Sequence, residues 1–106
     1  MSFQLGAALL DACVLAVLSR RDTYGYVLTQ QVREIMNISE STLYPVLRRL
    51  QKNDYLITYD EAFQGRNRRY YQITKLGKEK LQEYVNEWED YKNRVDKVLI
   101  GGKSSE

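Results

Sequence analysis

Residues 64–69 read Gln64-Gly65-Arg66-Asn67-Arg68-Arg69, so three guanidiniums fall within four positions, followed at once by Tyr70 and Tyr71. Guanidiniums this close repel one another, and folding alone does not reward the arrangement. Rows of phosphate oxygens, or a narrow minor groove, would relieve it. A second set lies upstream in Ser41-Thr42-Leu43-Tyr44-Pro45, with Arg48, Arg49 and Lys52 behind it. Arginine matches the O6 and N7 acceptors of guanine, whereas Lys52 and the hydroxyls of Ser41 and Thr42 suit phosphate. Both sets point to nucleic acid.

Other chemistry is thinly provided. The 106 residues include no histidine, which removes Ser-His and Cys-His pairs, HExxH zinc sites and the common acid–base group of neutral pH. Phosphate-loop, dinucleotide and EF-hand patterns are missing, so neither a metal, a cofactor nor an enzyme is expected. Asp60-Glu61 and Glu89-Asp90 have the look of solvated charges. Cys13, the one cysteine, sits between Ala12 and Val14 and suits a small buried hydrophobe in a reducing compartment. The apolar run Ala12–Leu18 is short of the roughly 20 residues that span a bilayer. No Lys or Arg precedes it, which leaves a soluble, cytoplasmic protein as the expectation. Charge is unevenly placed: from Tyr44 to Lys78 eight bases face three acids, while from Glu79 to Leu99 four bases face six acids. The positive field belongs to the middle of the chain.

Elements that would present these groups follow from periodicity. Residues from about Leu5 to Leu18 are apolar on nearly every side, as in a helix buried all round. Thr23 is placed to cap a second helix whose stripe is Tyr24, Leu28, Val32 and Ile35. Gly25 weakens its first turn, which therefore needs a close packing partner. Asn37 suits the tight turn Met36-Asn37-Ile38. Ser39 or Ser41 then caps a third helix reaching about Asn53, with Leu43, Val46, Leu47 and Leu50 toward the core. A start at Ser41 would keep Pro45 in the first turn, where its missing N–H matters least. Tyr55–Asp60 and Arg68–Thr74 alternate as the strands of a hairpin with a charged, Gly-containing tip. Thr74 caps a long last helix that Gly101-Gly102 ends, leaving Lys103–Glu106 as a frayed tail.

Helix, helix, helix, hairpin, helix is the winged helix-turn-helix order: mainly α, with a two-stranded β wing. The division expected is a DNA-binding domain over 1–75, a dimerisation helix over 76–100 and a flexible tail over 101–106. Within the third helix Ser41, Thr42, Tyr44 and Arg48 are the expected base readers and Arg49 and Lys52 the phosphate contacts, with Arg66, Arg68 and Arg69 gripping the backbone from the wing.

In the last helix Leu81, Tyr84, Trp88, Tyr91, Val95 and Val98 recur at spacings of 3, 4, 3, 4 and 3. With Val85 beside it, this seam suits a second copy, and packing onto the first helix is an alternative compatible with it. A twofold dimer would set two reading helices roughly 34 Å apart on a palindromic operator. Trp88, between Tyr84 and Tyr91, suits a core, an interface or an aromatic-lined gap for a flat ligand. A winged-helix module that binds protein and no DNA is the rival reading.

Thr42-Leu43-Tyr44-Pro45-Val46-Leu47-Arg48-Arg49-Leu50, Gly65-Arg66-Asn67-Arg68-Arg69-Tyr70-Tyr71-Gln72-Ile73-Thr74, Leu76-Gly77 and Tyr24-Gly25-Tyr26 together resemble the PadR family of bacterial transcriptional regulators. With a single C-terminal helix, the chain is similar to the short PadR-like subgroup. The resemblance implies a homodimeric repressor, often of transporter or stress genes, relieved by small molecules. In the multidrug-sensing branch a tryptophan of the last helix stacks on planar drugs at the dimer centre, and Trp88 matches it. Asn67 stands where many relatives have proline, which implies a more flexible wing.

Overall fold

The computed structural model describes residues 5–101. Its order is α1 (Leu5–Arg20), β1 (Thr23–Tyr24), α2 (Gly25–Met36), α3 (Glu40–Lys52), β2 (Leu56–Phe63), β3 (Arg66–Ile73) and α4 (Lys75–Leu99). The expected sequence of elements is present, with β1 added. Leu10, Val14, Leu15 and Leu18 of α1 are buried, because α2, α3, β3 and α4 all pack on this helix. With them in the core are Leu28, Val32, Leu43, Leu47, Leu50, Leu56 and Ile73. α1 is not buried all round as expected: Gly6 and Ala7 are exposed and Leu9, Ala12, Cys13 and Ala16 half-buried, whereas the one carboxylate of the helix, Asp11, is only 4% exposed.

Thr23 does not cap α2. It lies in β1, which pairs antiparallel with β3 through Thr23–Tyr71 and Tyr24–Tyr70, so the sheet has three strands in the order β1-β3-β2. Two residues are too few to show an alternation in sequence, and only the open edge of β3 makes them a strand. The stripe of α2 also shifts: Ile35 is 61% exposed, and Thr29 is buried beside Leu28 and Val32. Gly25 has the neighbour it needs, since a Cβ there would stand 3.7 Å from Cε1 of Tyr71.

Asn37 takes the left-handed conformation (φ 51°, ψ 52°) and donates its N–H to the Arg33 carbonyl at 2.8 Å, ending α2. Ser39 is the cap of α3, its Oγ accepting the Thr42 N–H at 3.3 Å. The helix therefore starts at Glu40, and Pro45 falls in its second turn instead of its first. Pro45 and Ser41 are both exposed, so water can bond the Ser41 carbonyl that proline leaves without a donor. Leu43, Leu47 and Leu50 are buried and Val46 half-buried, as the periodicity requires.

Both wing strands run further than the sequence suggests. They meet at a two-residue turn, Gln64-Gly65, with φ of 50° and 77°, the positive pair that matches the twist of a hairpin. The ladder runs unbroken to it through Asn67, paired with Ala62, so the looseness expected there is not reflected in the pairing. At the wing's base Thr74 Oγ1 accepts the Gly77 N–H at 2.9 Å and donates to the Asp54 carbonyl at 2.6 Å. Gly77 is buried against Tyr55. α4 ends at Leu99 with Ile100 as its C-cap and Gly101 next, while Gly102 and the tail 103–106 lie outside the described residues.

Candidate nucleic-acid interface

The capped start of α3 sets its reading face. Ser39 Oγ also bonds the hydroxyls of Ser41 at 2.9 Å and Thr42 at 3.1 Å, which fixes both at the exposed end of the helix. Tyr44, Arg48 and Lys52 are exposed along the same helix, opposite the leucines. Arg48, Lys52 and the wing's Arg66 form no ion pair among the described residues. These three cations are available to a polyanion.

The register divides the wing arginines between two faces. Because paired residues share a face, Arg69 lies with Asp60, Tyr71, Thr58 and the buried Leu56 and Ile73. Arg66 and Arg68 lie on the other face, with Phe63, Glu61, Tyr59 and Tyr70. The expected crowd of three guanidiniums at one tip is therefore separated by the pleat. Arg68 is held between rings, its guanidinium carbon 4.0 Å from the centre of Phe63 and 4.3 Å from that of Tyr24. Tyr24 then meets Tyr70, which stacks on Tyr59 at 5.5 Å. Cation–π contacts of this kind are worth about 0.5–2 kcal/mol each. Arg68 stiffens the wing, a role the sequence does not suggest.

Arg69 pairs with Asp60 at 3.3 Å, but the two side chains are 65% and 45% exposed. Such a pair is worth about 0–1 kcal/mol and yields readily to a phosphate. Tyr71 joins wing and helix. Burial pushes its phenol up, as does Tyr44, while Arg69 and Arg48 pull it down. Arg48 of α3 and Arg69 of the inner wing face thus both act on the Tyr71 side chain.

Arg49 departs from expectation. Its Nη1 and Nη2 donate to Asp11 Oδ2 and Oδ1 at 2.9 and 2.8 Å, a bidentate pair directed at α1 instead of outward. Tyr84 departs as well: it packs against the core, and its hydroxyl donates to Asp11 Oδ2 at 3.1 Å. Burial, then the neighbouring Asp11 charge, holds that phenol well above the ordinary range, and the Asp11 bond likewise raises Arg49. At the wing's base the Asp22 carboxylate accepts from Tyr59 at 2.6 Å and from Gln72 at 3.0 Å. Mainly through that bond, the Tyr59 phenol is pushed up to about 12.

The seam of α4 is divided. Leu81 and Tyr84 are used within the chain, against the core. Trp88, Tyr91 and Val95 line a shallow depression rimmed by Lys92 and Asp96, the two rings 6.4 Å apart. Val85 is exposed and Val98 is 83% exposed. No helix among the described residues is long and apolar enough to cross a membrane.

A short turn between α2 and α3, an exposed cationic face on α3 and a strand pair beside it define a winged helix-turn-helix regulator. Comparison with known sequences specifies which kind. Residues 14–83 match the Transcriptional regulator PadR-like family, and the chain belongs to it: a non-enzymatic transcriptional regulator. It is similar to the crystal structure of smu.1704 from Streptococcus mutans UA159, with 39% identity, TM-score 0.86, and coverage of 100% of this chain and 99% of that one. A PadR-like transcriptional regulator (BC4206) from Bacillus cereus strain ATCC 14579 is 31% identical, with TM-score 0.81 over 92% of this chain and 97% of that one. Transcriptional regulator Rv3488 of Mycobacterium tuberculosis (strain ATCC 25618 / H37Rv) is 33% identical over 84 residues, 78% of this chain and 75% of that protein.

Proposed function

We propose that the protein is a homodimeric repressor that reads a palindromic operator and is released by a planar aromatic molecule. The observation that carries the reading is the set of exposed cations without ion pairs among the described residues: Arg48 and Lys52 on α3 and Arg66 on the wing. Ser41, Thr42, Tyr44 and Arg48 read base edges in the major groove. Lys52, Arg66 and Arg69 hold phosphates, and Arg68 keeps the wing rigid enough to do so. Dimerisation uses the part of α4 beyond Tyr84, from Val85 and Trp88 to Val98, whose apolar side chains extend past the core.

Selection of bound sequences from random duplex DNA tests this reading. The expected product is an inverted repeat whose half-sites lie about one helical turn, roughly 34 Å, apart. Recovery of no common sequence would favour a protein-binding module. For the effector, planar aromatic compounds should quench Trp88 emission and Trp88→Ala should abolish their binding. Unchanged affinity in that variant removes Trp88, and with it the pocket shared with Tyr91, from the effector site.

A further inference from the structure

Three helices meet at a single carboxylate. Asp11 of α1 uses both oxygens on Arg49 of α3, and one of them also on Tyr84 of α4. The carboxylate is 4% exposed, while the Arg49 side chain is 45% exposed, so the bond draws a surface cation inward. A buried ion pair gives little net stability over well-packed apolar groups of the same volume. Its distinctive property is geometry, because a guanidinium fork accepts a carboxylate in one plane only. Leucines at 43, 47 and 50 hold α3 against the core through apolar contacts, which are non-directional. The fork at Arg49 adds a directional contact, and Arg49 adjoins Arg48 of the reading face.

We infer that Asp11, Arg49 and Tyr84 form the joint that sets the pitch of α3 against α4, so that Arg49 is a positioning residue for DNA reading and not a phosphate contact. The inference rests on the DNA-binding reading above and deepens it. Tyr84 lies one helical turn before Trp88 on α4. A shift of α4, produced by a ligand at Trp88 or by the second protomer, moves the Tyr84 hydroxyl first. Asp11 and Arg49 follow, and the side chains of α3 turn with them.

Two affinities separate this from a plain structural role: one for the selected operator and one for a random duplex of equal length. Tyr84→Phe deletes one hydroxyl, Asp11→Asn keeps the shape without the charge, Arg49→Gln removes the cation, and Lys52→Ala serves as the phosphate-contact control. Affinities are expressed per folded protein, measured by circular dichroism at the assay temperature. Tyr84→Phe and Asp11→Asn should each lower the operator-to-random ratio by about fivefold or more, the scale of a coupling near 1 kcal/mol. Random-duplex affinity should stay within about twofold of wild type. Arg49→Gln should lower the ratio in the same way while leaving the salt slope unchanged, whereas Lys52→Ala reduces that slope by about 0.9. If Arg49→Gln does not fold, Tyr84→Phe alone decides the matter.

An equal fall in slope for Arg49→Gln makes Arg49 a phosphate contact and overturns the inference. A wild-type ratio in Tyr84→Phe overturns it as well. Both results leave the DNA reading standing. Wild-type protein without salt-dependent binding to any duplex defeats that reading, and the inference with it.

Discussion

Gly77→Ala should lower the thermal midpoint by on the order of 10 °C, the largest loss expected of a Gly→Ala change among the described residues. A Cβ at this position would overlap the Tyr55 carbonyl oxygen and stand 2.7 Å from Cγ1 of Ile73. Backbone cannot step aside as a flexible side chain does. Overpacking of this kind costs about 3 kcal/mol at the upper end of its usual range, and alanine's better helix propensity returns about 1 kcal/mol. The remaining loss falls where the wing's base meets the first turn of α4, next to the Thr74 cap. Scanning calorimetry checks it. A midpoint equal to that of wild type would mean that α4 does not approach Tyr55 so closely.

The second large effect concerns DNA and leaves the fold alone. Lys52 and Arg66 are exposed and without ion pairs among the described residues, so replacing them by alanine removes little that holds the domain together. Removing one cation from a phosphate should reduce the salt slope of binding by about 0.9, which at 0.1 M salt is roughly eightfold in affinity. The double variant should bind on the order of 60-fold more weakly, because the two sites lie on different elements and add. Fluorescence anisotropy across a salt series separates this from impaired base reading, which weakens binding without changing the slope. An unchanged slope in the double variant would remove both residues from the backbone interface.

How far the sequence discloses this protein depends on whether a feature is local. The leucine stripe of α3, the Thr74 cap and the turn at Asn37 are local, and each is legible from spacing and side-chain chemistry. β1 is not, since Thr23 and Tyr24 become a strand only through the edge of β3. Pro45 misleads as a marker of the α3 start because an exposed second turn tolerates a proline that a buried one would not. The wing arginines form one cluster in sequence, but strand alternation sends Arg69 to one face and Arg66 and Arg68 to the other.

Arg49 is the instructive case. On a helical wheel it flanks the basic face, and nothing local distinguishes it from Arg48. Its partner is 38 positions away in sequence. One signal is present: Asp11 interrupts an otherwise apolar helix, and a carboxylate in that setting requires a cation. Tyr84 likewise fits the α4 seam by period, and only the packing of α4 on α1 turns it inward. Several residues within the stretch that matches the family have physical reasons visible in the fold. Gly77 is such a residue, and so is Tyr71, which packs on Gly25 and senses both cationic elements.

The central claim is that α3 and the wing present one cationic surface to DNA, twice over in a symmetric dimer. Lys52, Arg66 and Arg69, the cations assigned to phosphates, amount to about six phosphate contacts in two protomers. The logarithm of affinity should then fall with the logarithm of salt concentration at a slope near about −5. The measurement is wild-type affinity for its selected duplex between low and moderate salt. A steep linear fall near that value is the predicted result. Affinity that is flat across the salt series, or a slope of only about −1, would contradict the account.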